Sequence, residues 1–170
     1  CYHSINSFLD YYGLLGRRHE KAWRDVAVNK FNYRERAPEQ EIADRDIIHF
    51  GATRLRVVHT PGHSPGHCCF HFEQEGVLFL ADLDMTSFGP WYGDRVSDID
   101  QTIDSIRRIV QIDAQTYVTS HSRVIKGDIG KLAEDYIGVI ERREERLLEY
   151  LSEPRTLDDI VQQWICYGKS

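Results

Sequence analysis

The chain has 170 residues, with 21 basic against 27 acidic side chains and a formal charge of -6. That length supports one domain around a single buried core, and the acidic balance argues against non-specific affinity for nucleic acid or an anionic membrane. No apolar run is long enough to span a bilayer and no basic-then-apolar signal segment opens the chain, so a soluble, cytoplasmic protein is expected.

Four cysteines, Cys1, Cys68, Cys69 and Cys166, form no C-x-x-C pair. Cys68 and Cys69 are adjacent in a predicted strand, where neighbouring side chains point to opposite faces, so a reduced state is the simplest reading. The chain begins with cysteine and its only methionine is Met85. Residue 1 is therefore not expected to be a native translation start, and a fragment or processed chain is expected.

"SINSFLDYYG" places Ile5, Phe8, Leu9 and Tyr12 at helical spacing, with Gly13 as the stop. "HEKAWRDVAVNKF" reads as a second helix. From Tyr33 to Asp46 the composition turns charged and includes Pro38, which predicts an exposed connection, a lid or a long surface loop. "DIIHFGATRLRVVHT" and "CCFHFEQEGVLFLAD" each read as a hairpin, turning at Gly51-Ala52 and at Gln74-Glu75-Gly76. His71, between Phe70 and Phe72, is expected on the outer face.

"DIDQTIDSIRRIVQI" predicts a helix with Ile99, Ile103, Ile106 and Ile109 or Val110 on its apolar stripe, and "TYVTSH" a strand ending at His121. "GKLAEDYIGVIERREERLLEYL" predicts a long amphipathic helix through Leu132, Tyr136, Val139, Ile140, Leu147 and Leu151. A last helix is expected in "TLDDIVQQWICYG", with Thr156 as N-cap and acids in its first turn. The alternation of strand pairs and helices predicts an α/β layered domain followed by a helical tail.

The chemistry concentrates at three predicted strand ends. "HTPGHSPGH" holds His63 between glycines and prolines that restrict the turn and let an imidazole project with little freedom. By itself a histidine in such a turn is an ordinary surface residue. Asp82 follows the apolar run "VLFLA", where a carboxylate must be solvated, paired or bound to metal, and a turn cap is the plainer reading. His121 repeats the arrangement after "TYVTS". His63, Asp82 and His121 form an N/O donor set suited to zinc, iron or manganese. His59 and His67 are expected to brace the loop or face solvent, and Asp84 to support the site or cap a turn.

In that order and at those spacings, "VVHTPGHSPGH", "FLADLD" and "YVTSH" resemble the second half of the metallo-β-lactamase superfamily, especially its glyoxalase II-like hydrolases, over roughly residues 45 to 125. The resemblance implies the C-terminal half of an αββα sandwich: residues 1–128 as a partial domain and 129–170 as a helical extension that begins a winged-helix-like unit. It implies two divalent metal ions, zinc foremost with iron or manganese as alternatives: His63 on the first metal, Asp82 bridging, and His121 on the second. It also places the loop "SFGPWYGD" beside the metals, so that Trp91 and Tyr92 line a substrate pocket; packing on the core is the alternative.

The resemblance further predicts an H-x-H-x-D-H motif upstream, and none occurs in the 170 residues. The chain is therefore expected to start at or just beyond that motif, with His3 as its remnant and Tyr2 where the aspartate belongs, or with a frayed terminus there. Each metal would then keep about two protein donors, fewer than the three or four usual for zinc, leaving the site incomplete. The implied activity is hydrolysis of an ester, thioester or similar small substrate in the intact parent protein. A mononuclear iron oxygenase of the persulfide dioxygenase kind, a nuclease or phosphodiesterase, and a non-catalytic domain stay open. Nucleic acid and membrane are not expected partners, and the C-terminal helices offer a surface for homo-oligomerisation.

Overall fold

The computed structural model describes residues 4–35 and 37–165, so the readings that involve Cys1, Tyr2, His3 and Cys166 lie outside the described residues. Contacts divide the chain into two compact units, Cys1–Glu41 and Ile42–Ser170. In the first unit, α1 (Ile5–Tyr11) begins at Ser4, whose hydroxyl accepts from the Ser7 N–H in a capping box, and Gly13 stops it at φ +65°. The predicted second helix forms in two registers: α2 (Glu20–Asp25) runs straight into a π-helical turn over Val26–Lys30. Arg24 ties the two helices, donating to Glu20 at 2.8 Å and to Asn6 at 2.5 Å.

The second unit is built on a six-stranded sheet in the order β1 (Ile47–Phe50), β2 (Thr53–His59), β3 (Cys68–Phe72), β4 (Val77–Phe79), β5 (Thr116–Val118) and β6 (Ile125–Lys126). The hairpins β1–β2 and β3–β4 form as expected; β4 and β5 alone are parallel, because α3 (Ile99–Val110) supplies the crossover that parallel neighbours need. Val58, Cys69, Leu78, Tyr117 and Ile125 face α3 and α4 (Gly130–Tyr150), where Ile106, Ile109, Ala133 and Tyr136 close the core. The opposite face is also apolar: Val57, Phe70, Phe79 and Val118 are register partners across four strands, and the Phe70 and Phe79 rings stack. A sheet apolar on both faces, with α3 and α4 packed on one of them, is the mixed α/β layering expected. α5 (Leu157–Val161) starts at the Thr156 cap as predicted but is short. Among the described residues, no helix is long and apolar enough to cross a membrane.

Two expectations about faces change. His71 lies on the helix-side face, opposite Leu78 and two residues from buried Cys69, and its Nε2 is buried without a partner among the described residues. The stripe of α3 is rotated: Thr102, Ser105, Ile106 and Ile109 are buried, while Ile99 is 40% exposed. The loop between β2 and β3 causes the rotation by docking its backbone on the helix. Asp98 N–H donates to Gly62 O at 2.8 Å and Ser105 Oγ to Pro61 O at 2.7 Å, so small polar side chains are buried where the loop arrives.

The segment before β1 also proves ordered at its end. Asp44 accepts from Arg108 of α3 at 2.8 and 2.9 Å and from the His59 N–H at 2.8 Å, while Arg108 donates to His59 O at 2.7 Å. This pins the end of β2, from which the histidine loop departs.

Gly62 has φ +129°, and a Cβ there would lie 2.3 Å from Thr102 N, whereas Gly66 has nothing within 4 Å of its Cβ position. Gly62→Ala is expected to lower unfolding stability by about 2 kcal/mol or more and Gly66→Ala by less than about 1 kcal/mol, read from urea denaturation. Arg108 first, then the His59 N–H, holds the Asp44 carboxyl below its ordinary range. Its contribution is therefore present above the unfolded aspartate pKa and is lost as pH falls through the depressed folded value. Asp44→Asn should lower the urea midpoint at neutral pH and flatten its decline below about pH 4; an unchanged acid limb would contradict that assignment.

Candidate metal centre and cleft

Register places the site. Phe79 and Val118 are partners in the parallel β4–β5 pair, and Asp82 and His121 each follow three residues later, so they emerge side by side beyond the strand ends. The pairing persists past the strands, with Leu80 N–H donating to Val118 O at 2.7 Å and Ser120 N–H to Ala81 O at 2.9 Å. Ala81 takes φ +49°, the bend that turns Asp82 out of the strand direction. His63 reaches the same point from the β2–β3 loop.

The structure brings the three predicted ligands together around one carboxylate. His63 Nε2 lies 3.3 Å from Asp82 Oδ2 and His121 Nε2 lies 3.1 Å from Asp82 Oδ1, one imidazole to each oxygen. His63 is the more enclosed, with its side chain 21% exposed against 70% for His121. Its Nδ1 faces Trp91 O at 3.1 Å, and its own carbonyl accepts from Ser97 Oγ at 2.9 Å. His121 is held by its backbone, its N–H donating to Asp84 Oδ1 at 3.1 Å.

His67, expected only to brace the loop or face solvent, is buried and holds the backbone of Asp82. The Asp82 N–H donates to His67 Nε2 at 3.2 Å, which makes that nitrogen an acceptor and assigns the proton to Nδ1, 3.0 Å from Thr60 O. Burial first, and then the neighbouring His63, lowers the His67 pKa. His59 does brace the loop, its Nε2 lying 2.8 Å from Pro65 O.

The three groups border a cleft of about 440 Å³ together with Asp84, Phe88, Trp91 and Tyr136. Trp91 thus stands at the cleft wall. Tyr92 is not in the lining, and its hydroxyl accepts from Arg143 Nη1 at 3.3 Å. Tyr136, legible in the sequence only as a core position of a long helix, reaches the cleft from α4. Burial pushes its pKa up, and the neighbouring Asp84 backbone pulls the other way. Nothing in the local sequence marks Tyr136 or Arg143, because their partners lie about fifty residues away.

Among the described residues no cluster of three or more His, Cys, Asp or Glu closes around a single ion. Divalent cations, if bound here, would be held by His63, Asp82 and His121, one imidazole standing at each oxygen of the carboxylate. The donor types suit divalent transition metals. By donor type the set fits a partial coordination shell for such ions.

Comparison with known proteins identifies the family. The family model for the metallo-beta-lactamase superfamily matches residues 7–121, more than half of the chain and well upstream of the strand-end motifs. Lactamase-like protein aptB of Emericella nidulans is 30% identical over 74% of this chain and 39% of its own length. An atrochrysone carboxyl ACP thioesterase of Claviceps purpurea is 29% identical over 78% of this chain and 43% of its own length. A hydroxyacylglutathione hydrolase of Francisella tularensis subsp. novicida is 39% identical over 45% of this chain and 30% of its own length. The chain spans less than half the length of these curated relatives. The crystal structure of a metallo-beta-lactamase family protein from Thermus thermophilus superposes with a TM-score of 0.66 at 25% identity, covering 89% of this chain and 55% of that one. Matched by the family model through both the helical unit and the sheet that carries His63, Asp82 and His121, this chain belongs to the metallo-β-lactamase superfamily.

Proposed function

We propose that the chain carries part of a two-cation hydrolase site that cleaves an ester or thioester of a small acyl compound. The carrying observation is the Asp82 carboxylate shared between His63 at 3.3 Å and His121 at 3.1 Å, beside a cleft. The naming of relatives as a thioesterase and a hydroxyacylglutathione hydrolase supports the substrate class.

In this reading His63, Asp82 and His121 would hold the cations, with further donors contributed from outside the 170 residues. When bound, divalent cations supply Lewis acidity and lower the pKa of water. The chain's own residues supply orientation. His67 fixes the backbone of Asp82, the Trp91 carbonyl fixes the His63 ring, and Asp84 fixes the backbone of His121. Phe88 and Trp91 give the cleft an apolar wall that excludes water and takes the acyl part of a substrate.

The test is metal content and hydrolysis in the full-length protein. Asp82→Asn, which preserves shape but removes the bridging charge, should lower bound zinc and reduce kcat/KM on a thioester by at least about 100-fold. His121→Ala should act in the same direction. Wild-type metal content and turnover in both variants would overturn the assignment of the three ligands. Iron in the purified protein with oxygen uptake during turnover would replace the hydrolase with an oxygenase.

A further inference from the structure

α4 enters the site through a device that the sequence presents as an ordinary charged residue on a charged helix. Arg143 is 7% exposed, although it stands in the run "ERREER". Its Nη2 donates to Phe88 O at 2.6 Å and its Nη1 to Pro90 O at 3.0 Å and to the Tyr92 hydroxyl at 3.3 Å. The guanidinium carbon also lies 5.1 Å from the centre of the Phe88 ring and 5.5 Å from that of Tyr92. The partners of this buried cation are thus carbonyls, a phenol and two ring faces of a single loop.

The loop is seated on the helix at a second point. Gly89 has φ +81°, and a Cβ there would come within 2.5 Å of Val139 Cγ1, one turn before Arg143 on the same stripe of α4. Pro90 is fully buried and restricts the backbone between the two carbonyls that Arg143 holds. The next carbonyl in the chain is that of Trp91, the group that faces His63 Nδ1 at 3.1 Å.

We propose that Arg143 is a positioning residue for His63: by gripping residues 88 to 92 it sets the Trp91 carbonyl, which orients the imidazole toward Asp82. The inference rests on the assignment of His63 as a ligand, and it makes α4 part of the site. A planar fork with several fixed donors suits two carbonyls and a hydroxyl on one loop, whereas an ammonium offers a single point of attachment. Lysine should therefore fail to replace it. The grip also places the Trp91 ring, so the same residue shapes the wall of the cleft.

The experiment follows Trp91 and the metal separately in the full-length protein labelled with 5-fluorotryptophan, the Trp91 fluorine signal being assigned by its loss in Trp91→Phe. Arg143→Met and Arg143→Lys should both shift or broaden the Trp91 signal while leaving that of Trp23 in place. Both should weaken Zn²⁺ binding by about 10- to 100-fold, the range for groups that orient a metal ligand. Gly89→Ala perturbs the same contact from the loop side and should move the Trp91 signal likewise, which covers the case of an Arg143 variant that does not fold. An unmoved Trp91 signal, unchanged zinc affinity, or an equal displacement of every tryptophan signal would each overturn the proposal. If the wild-type protein binds no zinc, the ligand assignment falls, and the Trp91 signal still decides whether Arg143 holds the loop.

Discussion

A carboxylate at the end of a buried strand must be partnered, and the way Asp82 is partnered organises this half of the molecule. Two imidazoles take its two oxygens and a third accepts from its backbone N–H. Those three histidines come from separate positions: His63 and His67 from the loop after β2, and His121 from the end of β5. For them to meet, β4 and β5 must be parallel and in register, which requires α3 as a crossover, and the histidine loop must be fastened to that same helix. The buried hydroxyls of Thr102 and Ser105 on α3 follow from this requirement. They occupy helix positions that an apolar core would otherwise fill, because the loop brings backbone there that needs donors or close approach.

The site is consequently held from behind by two helices with different tools. α3 grips the histidine loop through backbone-directed hydrogen bonds and, at its far end, through Arg108 with Asp44 and His59 O. α4 grips the loop after Asp82 through Val139 and Arg143, and its Tyr136 borders the same cleft as Asp84. Each helix uses an arginine against backbone carbonyls, which suits a guanidinium: several donors in one plane can satisfy carbonyls that no strand or helix pairs. The difference is solvent. Arg108 remains partly exposed and is paired with a carboxylate, whereas Arg143 is buried and relies on carbonyls and ring faces.

The elements with a clear period were legible. Both hairpins, the crossover helix and the long helix carry their apolar positions at the spacings that structure uses, and the three strand-end residues stood out because polar groups follow apolar runs. Faces were less legible. In "CCFHF" the aromatic residues on either side of His71 read as the inward set, but the sheet is apolar on both faces, so alternation cannot say which set meets the helices. Nor could local pattern reveal Arg143, whose surroundings in sequence are those of a solvated helix, or Asp44, which sits in a segment whose composition is that of a loop. Their roles depend on arginine contacts that reach 51 residues, from Arg143 to Tyr92, and 64 residues, from Arg108 to Asp44.

His67 shows why placement and not residue type decides what a histidine does in this loop. An imidazolium has two donors and no acceptor, so a charged His67 would turn an N–H toward the Asp82 N–H and lose the contact that fixes it. The bond therefore requires the neutral ring with its proton on Nδ1, and the Thr60 carbonyl 3.0 Å away is positioned to select that tautomer. Burial and the adjacent His63 both lower its pKa, so charging is disfavoured where it would do harm. His63, four residues earlier in the same turn, has its second nitrogen at the carboxylate instead and is left more open. One short loop thus supplies a histidine that presents a nitrogen to the site and another that holds the backbone on which the site's carboxylate is mounted.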